Sequence, residues 1–132
     1  MKKKILLVAT LLSLGWTLYL TASVALNRLS VAPRVAGGEL HSFSAALRFT
    51  YGVQAIVVLF QVFFIVQLFM RNGVWSKSSY LLARIFLILS ALSALVNLVS
   101  RNPTERWNAI PAFVMALGYL VVGELNFQPR GR

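Results

Sequence analysis

The sequence predicts an all-α membrane protein: an antiparallel bundle of four transmembrane helices with the N and C termini cytoplasmic. Three observations carry that expectation. Of 132 residues 58 % are hydrophobic, and the mean hydropathy is +0.75, a composition that soluble domains rarely have. The apolar residues also arrive in blocks: Ile5–Leu26 and Phe49–Met70 each run 22 residues without a charge, Ile85–Ser100 runs 16 and Trp107–Gly123 runs 17. Finally, the charges collect between the blocks, where topology signals and interfacial anchors belong.

A helix needs about 20 residues to cross roughly 30 Å of hydrocarbon. The first two blocks cross unaided. The third reaches that length as Tyr80–Val99 by taking in Arg84, and the fourth by running on to Asn126 through Glu124. The expected organisation is one membrane domain over 1–132, with spans near 5–27, 49–70, 80–99 and 107–126. The loops are then an outer one over 28–48, an inner one over 71–79 and an outer one over 100–106.

The first block follows Lys2-Lys3-Lys4 and ends near Ser23-Val24-Ala25, which fits a signal-peptide cleavage site after Ala25. An apolar signal core normally runs about 7–15 residues, so the longer block reads as a retained span. In the outer loop, Pro33 and Gly37-Gly38 break any helix. Glu39–Leu47 then reads as a short surface helix or the early start of the second span. The inner segment carries Asn72-Gly73, a strong turn dipeptide. With both termini inside, eight Lys and Arg lie on the inner side (Lys2, Lys3, Lys4, Arg71, Lys77, Arg84, Arg130, Arg132). Five lie outside (Arg28, Arg34, Arg48, Arg101, Arg106). That bias obeys the positive-inside rule and assigns a bacterial inner membrane, multi-pass.

Ser100–Pro111, SRNPTERWNAIP, is the most polar stretch between two blocks. Asn102-Pro103 ends the third helix, and Asn102 as cap, Pro103 at the first helical position and Glu105 in the first turn start another. That helix is expected to run through Trp107 into the fourth span, with Pro111 inside that span or at its border and costing it a backbone bond. Arg101, Arg106 and Glu105 are candidates for an anion or lipid headgroup, or serve as interfacial anchors.

Within lipid, helices associate through small residues and polar contacts. Ser90, Ala94 and Asn97 form one such stripe in the third span, and Ala109, Ala112, Ala116 and Gly123 another in the fourth. Ala9, Ser13, Thr17 and Thr21 form a third on the first span. Gln54 and Gln61, seven apart, share a face of the second span and must meet protein, water or another copy, because an amide facing hydrocarbon is costly. Arg84 and Glu124 fall at matched depth on neighbouring antiparallel helices and are an ion-pair candidate.

The chemical inventory is short. The net charge of +10 comes from basic residues scattered over helix ends, which argues against a nucleic-acid partner. There is no cysteine and one histidine, His41, so thiolate chemistry, iron–sulfur ligation and paired haem imidazoles are excluded. No paired carboxylates, zinc spacing, nucleophile elbow or phosphate-cradling loop is present; no catalytic or metal residue and no cofactor is assigned. The expected role is a structural or accessory subunit with membrane lipids and another membrane protein or a second copy as partners. An oligomeric transporter or channel lined by Gln54, Gln61, Asn97 and Ser90 is the alternative, and lipid or quinone binding or processing at the membrane surface the next.

In overall layout, and in Ser100–Trp107, the second half of the chain resembles small four-span bacterial integral membrane proteins of unassigned function. The resemblance implies the bundle and no mechanism.

Overall fold

The computed structural model describes residues 2–35, 41–70 and 77–123. Among them the elements are α1 (Lys2–Ala25), a 3₁₀ segment (Leu29–Arg34), α2 (Ala45–Met70), α3 (Lys77–Leu98), α4 (Pro103–Arg106) and α5 (Ala109–Gly123). The described backbone is all-α, but among the described residues three helices, not four, have the length and hydropathy to cross a membrane: α1, α2 and α3. The expected four-span bundle is therefore corrected. The helix that starts at Pro103 does not run on into the fourth block: α4 stops after one turn, and Trp107-Asn108 form a turn before α5 begins. With 15 described residues, α5 extends about 22 Å at 1.5 Å per residue, short of the hydrocarbon thickness.

The local reasons lie in the ends. α1 terminates because Asn27 takes a left-handed conformation, φ 60°. Arg28 N–H then donates to Ser23 O at 2.8 Å and Asn27 N–H to Val24 O at 2.9 Å, the paired closure of a Schellman turn. Asn102 caps α4, its side chain accepting from Thr104 N–H at 3.0 Å. Pro111 falls in the first turn of α5, where an amide would lack an intrahelical partner anyway. Of the two places expected for this proline, inside a span or at its border, the second holds, and α5 continues past it without a break. Residues 41–44 are not helical and α2 opens at Ala45, so the described part of the Glu39–Leu47 helix is the early start of α2.

α5 lies between α1 and α3 and packs on both, while α1 also packs along α2. The fourth side, between α2 and α3, is closed by side chains: Phe60 and Phe64 of α2 stand 6.2 and 5.8 Å from the ring of Phe86 of α3. Side-chain size sets these spacings. At the α1–α5 crossing a Cβ on Gly118 would collide with Thr10, whose Cγ2 would lie 2.9 Å away. The interior joins Leu14, Val58, Ile65, Phe86, Met115 and Tyr119.

The interior is mostly apolar but includes hydroxyls, and the outside is apolar too. Buried side chains include Thr10, Ser13, Thr21, Ser23 and Ser90, whereas Phe49, Ile56, Phe63 and Met70 are 69–75 % exposed along one line of α2. Three of the buried α1 hydroxyls are satisfied within their own helix, Thr10, Ser13 and Thr21 donating to the carbonyls four residues earlier at 2.8–2.9 Å. Apolar groups outside and satisfied polar groups inside suit a hydrocarbon solvent. This is a small, mostly hydrophobic, multi-pass membrane protein. α1 supplies much of its interior, so a cut after Ala25 would remove Leu14, Leu20 and Val24 from the core.

Candidate functional site

At one end of the bundle, here called the cap, the 3₁₀ segment, α4 and the turn before α5 are bound to one another. Two asparagines six residues apart make the clasp. Asn102 donates its amide to Pro33 O at 2.6 Å, and Asn108 donates to Arg34 O at 2.7 Å. The Asn108 carbonyl oxygen accepts in turn from the indole N–H of Trp16 at 3.2 Å. The Arg34 guanidinium lies over the Trp16 ring, 5.4 Å from its centre, within cation–π range. Consecutive carbonyls of a segment that would otherwise present them to solvent are thus tied to the cap of α4 and to the turn before α5.

Behind the clasp, Ser100 organises the turn out of α3. Its hydroxyl donates to the Glu105 carboxylate at 2.6 Å and its carbonyl accepts from Arg106 Nε at 2.6 Å. Glu105 is held toward the bundle by these contacts and lines the interior.

Under the cap lies a cavity of about 310 Å³. Its walls are Trp16, Thr17 and Thr21 of α1, Tyr51 and Gln54 of α2, Ser93 and Asn97 of α3, and Ala112 and Met115 of α5, with Arg34, Glu105 and Asn108 above. Gln54, Ser93 and Val96 are exposed, which puts the mouth on the side where α2 and α3 are held apart by aromatic rings. Deeper in the bundle this side is filled by Phe60, Phe64, Phe86 and Tyr119, with the Tyr119 hydroxyl donating to Gln61 at 3.0 Å. The cavity is a slot, open sideways and floored. A flatter hollow between Leu12 and Ser13 of α1 and Trp107, Ile110 and Pro111 is mostly apolar.

Of the sequence candidates, Glu105, Gln54 and Asn97 share this slot, and Gln61 lies deeper with Tyr119. Arg106 holds the Ser100 carbonyl and Arg101 is exposed; neither lines the slot. The Arg84 guanidinium stands 4.7 Å from the centre of the Tyr80 ring, and its candidate partner Glu124 lies outside the described residues, as do Glu39, Asn72, Gly73 and Trp75. Sequence reasoning missed Arg34, Trp16 and Asn108. Their only signal was chemical: an arginine just after a loop proline, and an indole well inside an apolar block, both needing polar partners.

No protein-family model, curated protein or solved structure matches the chain. With three helices of spanning length among the described residues instead of four, the resemblance to small four-span bacterial membrane proteins is set aside.

Proposed function

We propose that this protein is an accessory component of the bacterial inner membrane that binds a lipid-borne polar group in its lateral slot and presents it to a neighbouring membrane protein or a second copy. The observation that carries the reading is the slot itself. Hydroxyl, amide, carboxylate and guanidinium groups line a cavity whose mouth faces sideways, between two helices of spanning length. A ligand diffusing in the bilayer reaches such a mouth without leaving the membrane. Gln54 stands nine residues into α2, about 14 Å along it, so the slot covers headgroup and upper acyl depth. In sequence, six Lys and Arg flank the ends of α1, α2 and α3 away from the cap (Lys2, Lys3, Lys4, Arg71, Lys77, Arg84) and five flank the cap ends (Arg28, Arg34, Arg48, Arg101, Arg106), a small bias that favours the cap as the external side.

Binding fits better than passage. The slot ends on the aromatic layer and the Tyr119–Gln61 hydrogen bond, which occupy the interior where a continuous polar path would run.

The test is lipid retention. Gln54→Trp places an indole at the exposed mouth without touching the core. Native mass spectrometry of protein released from nanodiscs is expected to show bound lipid on the wild type and to lose it in Gln54→Trp. Equal retention by both would reject the slot as the working surface.

A further inference from the structure

The two charged groups at the roof of the slot have opposite signs and are not spent on each other. Arg34 and Glu105 both line the cavity, yet among the described residues neither makes an ion pair. The guanidinium lies against the Trp16 face, and the carboxylate accepts one hydrogen bond, from Ser100. The clasp explains why they stay apart. Arg34 is fixed by its own carbonyl to Asn108, and Glu105 by its side chain to Ser100 and by its one-turn helix to the Asn102 cap. Two unlike charges at a low-dielectric boundary, each with donor or acceptor capacity left over, match a ligand carrying the complementary pair.

The geometry points to a zwitterionic headgroup as the occupant: a primary ammonium on Glu105 and a phosphate on Arg34. This rests on the slot reading above and names its ligand class. Glu105 is an acceptor with unused lone pairs, and an ammonium carries three donors to meet it and neighbouring oxygens such as that of Asn97. Arg34 presents the planar fork that phosphate oxygens take in pairs. An anionic headgroup without an amine would satisfy Arg34 but set its own charge near the Glu105 carboxylate. A quaternary ammonium would keep the charge but has no N–H to donate.

The experiment is competition in nanodiscs containing equal amounts of phosphatidylethanolamine, phosphatidylglycerol and phosphatidylcholine. Lipid retained on the released protein is identified by mass. Wild type is expected to retain phosphatidylethanolamine about tenfold over either competitor, the size of one charge-assisted hydrogen bond. Glu105→Gln, which still accepts from Ser100, is expected to level phosphatidylethanolamine with phosphatidylglycerol. Arg34→Gln is expected to lower all three together. An unchanged melting temperature for both variants separates these effects from unfolding.

If lipid is retained and lost in Gln54→Trp, but without headgroup preference or with a preference that survives Glu105→Gln, the zwitterion assignment is overturned and the slot stands. If Gln54→Trp retains lipid like the wild type, the slot reading itself falls and takes the assignment with it. Addition of soluble glycerophosphoethanolamine distinguishes the source of the same chemistry. Displacement of lipid at millimolar concentration would show that the free headgroup is also taken, and failure to displace would tie recognition to the whole lipid; the preference for an ammonium is supported in either case.

Discussion

The two sides of α5 and the side where α2 faces α3 solve the same packing problem in opposite ways. Where α5 meets α1, Gly118 comes so close that a Cβ would collide with Thr10, and small residues Ala112, Ala116 and Ser90 are buried on α5 and α3, beside the one ring contact of Tyr119 with Phe86. Where α2 meets α3, Phe60, Phe64 and Phe86 stand between the helices. In a solvent as apolar as the side chains, small residues gain by close van der Waals contact, and large rings gain by filling space that would otherwise be void. The consequence is asymmetric. A seam of small residues seals along its length, whereas a side propped by rings is sealed only at the depth of the rings. The slot occupies the unsealed part of the propped side.

That contrast can be broken by changing sizes. The largest effect is expected for Gly118→Leu, because a Cβ at this position already meets Thr10. Overpacking here should cost about 3 kcal/mol, read as a fall in the melting temperature in detergent, and Thr10→Ala should recover part of it only for the smaller Gly118→Ala. On the propped side Phe86→Leu, at a buried ring, should cost about half as much, since a lipid tail or neighbouring ring can relax into the space. Equal losses at both sites would mean that the two sides are not different in kind.

Smaller effects sharpen the description of the cap and floor. Asn108→Ala removes the donor to Arg34 O and the acceptor for Trp16. It should cost about 1 kcal/mol per lost bond and raise the labelling rate of a cysteine placed at the buried Val31 or Val35. Labelling that stays at the wild-type rate would show that the 3₁₀ segment holds without the clasp. Tyr119→Phe deletes the hydroxyl that donates to Gln61. About 0.6 kcal/mol is expected, the size typical of a hydrogen bond between helices in a membrane.

How much of this was legible beforehand depends on the range of the interaction. The blocks of apolar residues marked α1, α2 and α3 to within a few residues, because crossing hydrocarbon requires length and composition that neighbours in sequence supply. The Asn102-Pro103 start of α4 was equally legible, as capping is local. The fourth block misled for a physical reason: it is apolar enough for a span, but the Trp107-Asn108 turn at its start cuts it off from α4 and leaves α5 only 15 described residues. That turn is fastened by Asn108 to Arg34 and Trp16, 74 and 92 residues away in sequence. No local pattern reports such a bond.

By itself, then, the sequence determined that the chain is helical, that it lives in a membrane, and which polar residues must find partners there. Only the tertiary structure decided which partners those are. It joined Gln61 to Tyr119, brought Arg34 and Glu105 to one cavity, and set α5 between α1 and α3. The reason is that composition fixes the solvent a segment prefers, while the spacing between helices depends on which side chains meet across them, and that choice exists only once the chain has packed.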